Sequence, residues 1–226
     1  MITKDALGSF EQPAALLPFR VSEDAAKDII RERLRGLSER LAGLLRDNRV
    51  ARAAIEGVYL PFWLFDGVVE VTRTTVEITP SGERQRDINP YQHERFQDGV
   101  LDVAVCAMQS SPPSALTARL GNYDLSGLVN YAPRLLARHP AALYDLDFDA
   151  ASLQARGLIA ERMRERYSEN ASRRHQEHVY SMVQQMSFRL VLLPVWLVTL
   201  YERDGDVRPA LINGQTGEAV LGRAEQ

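Results

Sequence analysis

The chain has 226 residues, of which 45% are hydrophobic and 25% charged, with a formal net charge of -3; this is ordinary globular composition and argues against long disorder. Its length suits one sizeable core or two small ones, and the near-balanced charge excludes a global cationic field for nucleic acid or acidic lipid. Cys106 is the one cysteine, which excludes an intrachain disulfide and a cysteine-rich metal site, and Lys4 and Lys27 are the only lysines, so lysine chemistry is largely excluded too.

The elements follow in chain order. Ala14 to Val21 is a short apolar stretch that Pro18 marks as an edge strand. Ser22 is an N-cap, with Glu23 and Asp24 in the first turn where the helix dipole favours negative charge. Ile30, Leu34, Leu37, Leu41 and Leu44 then recur at helical spacing; Gly36 and Ser38 are expected to break or bend this helix. The stripe reads as a core-facing face, with a coiled-coil seam for a partner as the sharper alternative. Strand character runs from Ile55 to Thr79, Pro80-Ser81-Gly82 makes a turn, and a second strand spans about Tyr91 to Met108.

The middle third, Ser114 to Asp149, reads as irregular helix and loop, broken by Gly121, Gly127, Pro133 and Pro140. Asp149 is the expected N-cap of a second long helix carrying Ala150, Leu153, Gly157, Ala160, Met163 and Tyr167 on its apolar side. Its other side interleaves arginine with glutamate, the pattern of a solvated, salt-bridged face; a nucleic-acid surface is the weaker reading. The last quarter is a meander: His178 to Met186, Phe188 to Tyr201, a turn at Asp204-Gly205, Val207 to Ile212, the hairpin signal Asn213-Gly214, and Glu218 to Leu221.

A phrase is used twice: Leu60-Pro61-Phe62-Trp63-Leu64 and Leu193-Pro194-Val195-Trp196-Leu197. Both tryptophans of the chain sit in it. A proline two residues ahead of a tryptophan inside an apolar run reads as a buried strand anchored on one large ring. The expected fold is therefore α+β, a single domain over 1–226 with antiparallel sheets from two related strand-hairpin halves, about 14–110 and 141–222. An irregular helical segment joins the halves, and two long helices pack on them.

Local chemistry motifs fail. Asp145, Asp147 and Asp149 alternate like the start of a calcium loop, but the required glycine and glutamate positions hold Ala150 and Arg156. His175 and His178 are three apart, a spacing that could join at a metal on a helix but not on a strand. Cys106 lies in an apolar strand-like run, where a thiol packs as a small hydrophobe. No phosphate loop, nucleophile elbow or dinucleotide fingerprint is present. No catalytic residue, metal ligand or cofactor is assigned. The first residues show no basic segment followed by an apolar h-region, so no secretory signal is expected, and the longest apolar run, Leu190 to Leu200, is about half the length of a spanning helix; a cytoplasmic location is expected.

At Val58 to Phe65, Tyr123-Asp124-Leu125, Leu192 to Leu197 and Asn213-Gly214-Gln215-Thr216-Gly217-Glu218, the sequence resembles the globular domain of bacterial zinc-ribbon proteins that carry transcription-factor-like or helicase-like labels. The resemblance runs from about Leu17 to Gly222. It implies an α+β domain that in relatives follows one or two cysteine ribbons and often precedes a membrane segment, with some relatives linked to membrane stress. This chain departs from that pattern, having neither ribbon cysteines nor a spanning segment, and it reads as a free-standing version or an excised core. The missing phosphate loop leaves the helicase label without support.

The expected function is a non-enzymatic interaction or scaffold module with a protein partner, reaching the cytoplasmic face of the membrane only through that partner. Its candidate surfaces are Leu41 and Leu44, and the loop around Tyr123 and Tyr131. The alternative is a small-ligand binder or enzyme with a cleft between the halves lined by Tyr59, Asp66 or Tyr201. Nucleic-acid binding through the arginine-rich helix is the weakest alternative. No pattern specifies an oligomeric state.

Overall fold

The computed structural model describes residues 11–40, 50–77, 91–109, 112, 114–168, 175–203 and 205–223. Leu41 and Leu44 lie outside the described residues. The elements are β1 (Ala15–Leu16), α1 (Glu23–Arg40), β2 (Val50–Glu77), β3 (Tyr91–Cys106), α2 (Ser114–Thr117), β4 (Val129–Asn130), α3 (Phe148–Tyr167), β5 (His175–Glu202), β6 (Val207–Asn213) and β7 (Ala219–Leu221). Two short 3-10 turns, Leu125–Gly127 and Pro133–Leu136, punctuate the middle third. The class is α+β. Seven strands form a mostly antiparallel sheet in the order β3-β2-β5-β1-β4, with β6 on β5 and β7 on β6.

Several sequence expectations are corrected. β1 is an interior strand, parallel to β5 and antiparallel to β4, because Pro18 falls after the two paired residues and removes no ladder donor. α1 runs through Gly36 and Ser38 to Arg40; one glycine costs about 1 kcal/mol relative to alanine, too little to end a helix that buries Ala26 and Ile30. The Ser22 hydroxyl does accept the Ala25 N–H at 3.2 Å, as an N-cap should. β5 is one strand, where two were expected on either side of Ser187. α3 begins at Phe148, which places Asp149 in its first turn.

The buried face of α3 also differs. It is Ala151, Ala155, Ile159 and Met163, whereas Leu153 is 73% exposed. Small residues one turn apart let a helix approach closely, and fit at that spacing outweighs the size of a single leucine.

The chain divides into two compact units. The first comprises Met1–Phe62, Cys106–Asp147 and Leu190–Gln226; the second comprises Trp63–Val105 and Phe148–Arg189. β2 and β5 therefore contribute residues to both, and Trp63 and Trp196 belong to different units.

In the first unit, α1 packs on β5, β6 and β7 around Ala26, Ile30, Trp196, Val198, Leu200, Ala210 and Ile212. Trp196 donates its indole N–H to the Val21 carbonyl at 3.1 Å, with the Phe19 and His139 rings at 5.1 and 5.4 Å. This nest needs a glycine: a Cβ on Gly57 would come within 2.6 Å of His139 Nδ1 and 2.9 Å of Trp196 Cζ3. In the second unit, Trp63 meets Phe148 and Phe188 at 6.2 and 5.8 Å, and Phe148 meets Phe188 at 4.2 Å.

Candidate functional site

The tyrosines singled out from the sequence are spent on the first unit. Tyr59 is buried with Leu16 and Leu192, and Tyr131 packs against that cluster. Burial pushes the Tyr59 hydroxyl above its ordinary range, and a hydrogen bond with the Phe19 backbone pulls it partly back. Tyr123 donates to the Pro194 carbonyl at 3.1 Å, and its burial drives the hydroxyl strongly toward the neutral form. Tyr201 lies under Arg52, whose guanidinium carbon is 4.5 Å from the ring centroid, a cation–π contact. Tyr59 and Tyr131 thus share one cluster, Tyr123 and Tyr201 have separate environments, and Asp66 belongs to the second unit.

Tyr123-Asp124-Leu125, Leu192 to Leu197 and Asn213 to Glu218 all lie in the first unit. The turn after β6 is closed by the Asn213 N–H to Glu218 O at 2.8 Å and the Gly217 N–H to Asn213 O at 2.9 Å. Gly217 takes the left-handed conformation, with φ of +80°, which a glycine adopts without steric cost. The Asn213 side-chain oxygen accepts from Gln215 N and Thr216 N at 2.9 and 3.1 Å. Gln215 then reads the backbone of Asp124 like a strand neighbour, accepting its N–H at 2.8 Å and donating to its carbonyl at 2.9 Å. Asp124 in turn caps the 3-10 turn through Ser126. These polar residues satisfy buried backbone, which is a structural task.

The second unit presents a different surface. Arg73 pairs with Glu94 on one face, and Phe96 and Asp98 on that same face meet the end of α3: Phe96 lies 4.9 Å from the Tyr167 ring, and Asp98 accepts from Tyr167 Oη at 2.8 Å and from Arg166. The other face carries the Glu70–Arg95 pair and the Thr74–His93 hydrogen bond at 3.0 Å. Strand alternation puts Val68 and Leu101 on that second face. On β5, Tyr180 and Met182 are two residues apart and share one face of that strand. Tyr180 is 80% exposed, Leu101 71% and Met182 56%, with Val68 also exposed.

Sequence reasoning missed this surface. The run Val179-Tyr180-Ser181-Met182-Val183 is apolar at both parities, so its pattern does not say which side is free. The ladder against β2 and the helix on one face decide that.

A bulge interrupts β3 at the base of this surface. Asp102 has φ of +54°, and its N–H is accepted by Asp66 Oδ1 at 2.8 Å. Arg189 bridges both carboxylates, hydrogen-bonded to Asp102 and 3.6 Å from Asp66. Arg162 donates to the Leu101 carbonyl at 3.2 Å. Burial pushes the Cys106 thiol up, the opposite of what a nucleophile needs. His175 and His178 lie in one strand, and among the described residues no three His, Cys, Asp or Glu side chains group as metal ligands. Among those residues, too, no helix is long and apolar enough to cross a membrane.

No family model and no solved structure matches the chain. Among curated proteins it is similar to the uncharacterized protein YdjG of Bacillus subtilis (strain 168), with 26% identity over 230 residues. That similarity covers 97% of this chain and 66% of the relative, so the chain spans about two thirds of the length of the curated relative it matches.

Proposed function

We propose that the chain is a non-enzymatic protein-interaction module whose partner surface is the exposed apolar patch of Val68, Leu101, Tyr180 and Met182 on β2, β3 and β5. The observation that carries this reading is the exposure of those four apolar side chains on three adjacent strands. Apolar groups concentrated on one open surface mark interaction sites, and tyrosine and methionine are enriched where partners dock. A polypeptide is the proposed occupant: the patch is apolar, and Arg95 beside it is already paired with Glu70. The reading takes the chain as a ribbon-free version of the zinc-ribbon-type globular domain, with its two Pro-x-Trp strands as related halves. It acts in the cytoplasm and reaches a membrane only through its partner.

The test is affinity capture from native lysate with the wild-type chain and with a Tyr180→Ser/Met182→Ser variant, keeping soluble and membrane fractions apart. A partner held by the wild type and lost by a variant with an unchanged melting temperature is the expected result. Equal recovery of the same proteins by both would sink the proposal.

A further inference from the structure

We propose that Asp66, Asp102 and Arg189 form a latch that holds β3 in a bulged register, and that β3 has a second register, one residue away, which the latch excludes. The inference concerns the strand itself and does not depend on what the open face binds.

Two observations show the bulge. The first is backbone strain: Asp102 sits at φ of +54°, the left-handed region that side-chain-bearing residues rarely occupy. The second is a count along the ladder. Thr74 stands beside His93, and Ala107 donates its N–H to the Pro61 carbonyl at 2.9 Å. Between those two points β3 contains one residue more than β2. An extra residue in one strand of an antiparallel pair is a β-bulge.

The extra residue switches the parity of burial. Before it, Val100 is buried and Leu101 exposed; after it, Val103 and Val105 are buried and Ala104 exposed. Without the bulge one half of the strand must exchange its faces, because a one-residue slip moves every side chain to the other side. The latch residues all act at the bulge. Asp66 takes the N–H of the strained residue, Arg189 ties the carboxylate of that residue to Asp66, and Arg162 holds the carbonyl just before it. Arg189 also keeps a buried Nε without a hydrogen-bond partner in the described structure. Its guanidinium is therefore committed through its terminal nitrogens to these two carboxylates. Which β3 side chains line the open face, Leu101 among them, follows from this cluster.

The test places single cysteine reporters at Val100→Cys or Leu101→Cys in a Cys106→Ala background and measures thiol labelling under native conditions. With the latch intact, the Leu101→Cys thiol should react at least about tenfold faster than the Val100→Cys thiol, since burial protects a thiol until local opening. Adding Asp66→Ala should invert that order, and adding Asp102→Gly as well should restore it, because glycine adopts the bulge conformation without the latch. Should Asp66→Ala fail to fold, Arg189→Gln decides by the same readout. An unchanged labelling order in both variants, failure of Asp102→Gly to restore it, or loss of native circular dichroism in both would overturn the proposal, since a latch between two registers leaves a folded alternative.

Discussion

One polar cluster from each unit makes a contrast. In the first, the carboxylate of Glu202 and the amide of Gln215 are buried, although ion pairs on α1 such as Lys27–Glu23 and Arg31–Asp28 are exposed. Glu202, with a side chain only 2% exposed, accepts from Arg208 Nε and Nη2 at 2.7 Å each, and Gln215 is buried against the Asp124 backbone. In the second, ion pairs such as Glu70–Arg95 and Arg73–Glu94 are at the surface, beside apolar side chains left in water. The comparison teaches that a buried charge is tied to the structure around it, whereas an exposed pair beside exposed apolar side chains leaves its surface free for other contacts.

The largest contrast comes from breaking one ion pair in each unit. Arg208→Ala strands a buried carboxylate and should cost about 3–5 kcal/mol. Arg95→Ala removes an exposed partner and should cost less than about 1 kcal/mol. Urea unfolding of the two variants checks this, and similar midpoints would erase the distinction between the two pairs.

A smaller effect sharpens the account of the first unit. Gln215→Ala removes both hydrogen bonds to the Asp124 backbone and should cost about 1–3 kcal/mol, the usual penalty for orphaned buried groups. A loss within about 0.5 kcal/mol, the range of ordinary surface changes, would mean that the clamp is ornamental to stability.

The smallest effect belongs to the second unit and depends on pH. Burial raises the Asp98 carboxyl, but hydrogen bonds from Tyr167, Arg166 and the Gly99 backbone outweigh it, and the net position lies below the ordinary carboxylate range. A group lowered in the folded state stabilises at pH above its unfolded value of about 3.9, and that contribution disappears as pH falls through the folded value. Asp98→Asn should therefore lower stability at neutral pH and flatten its decline on acidification. Parallel acid titrations of the two proteins would argue against this role.

Much of the skeleton was legible in the residues. Ser22 with Glu23 and Asp24 announced α1, and Asn213-Gly214 announced the return between β6 and β7, because caps and turns depend on a few neighbouring groups. The candidate sites were less legible. Tyr59 and Tyr123 looked available because aromatic residues serve packing and binding alike; their partners, Leu192 and Pro194, lie far away in sequence. Leu153 drew attention by size, yet Ala151 and Ala155 take the core. The surface around Tyr180 was hidden because its strand is apolar at both parities.

By itself the sequence determined the α+β class, the long strands about the two tryptophans, the start of α1 and the turns. These rest on local periodicity and on backbone chemistry within a few residues. The tertiary structure alone decided which face of α3 is buried, which tyrosines are consumed by the core, and where β3 changes parity at Asp102. Each of those depends on groups far apart in the chain, such as Asp66, Asp102 and Arg189, whose interaction exists only once the strands are paired.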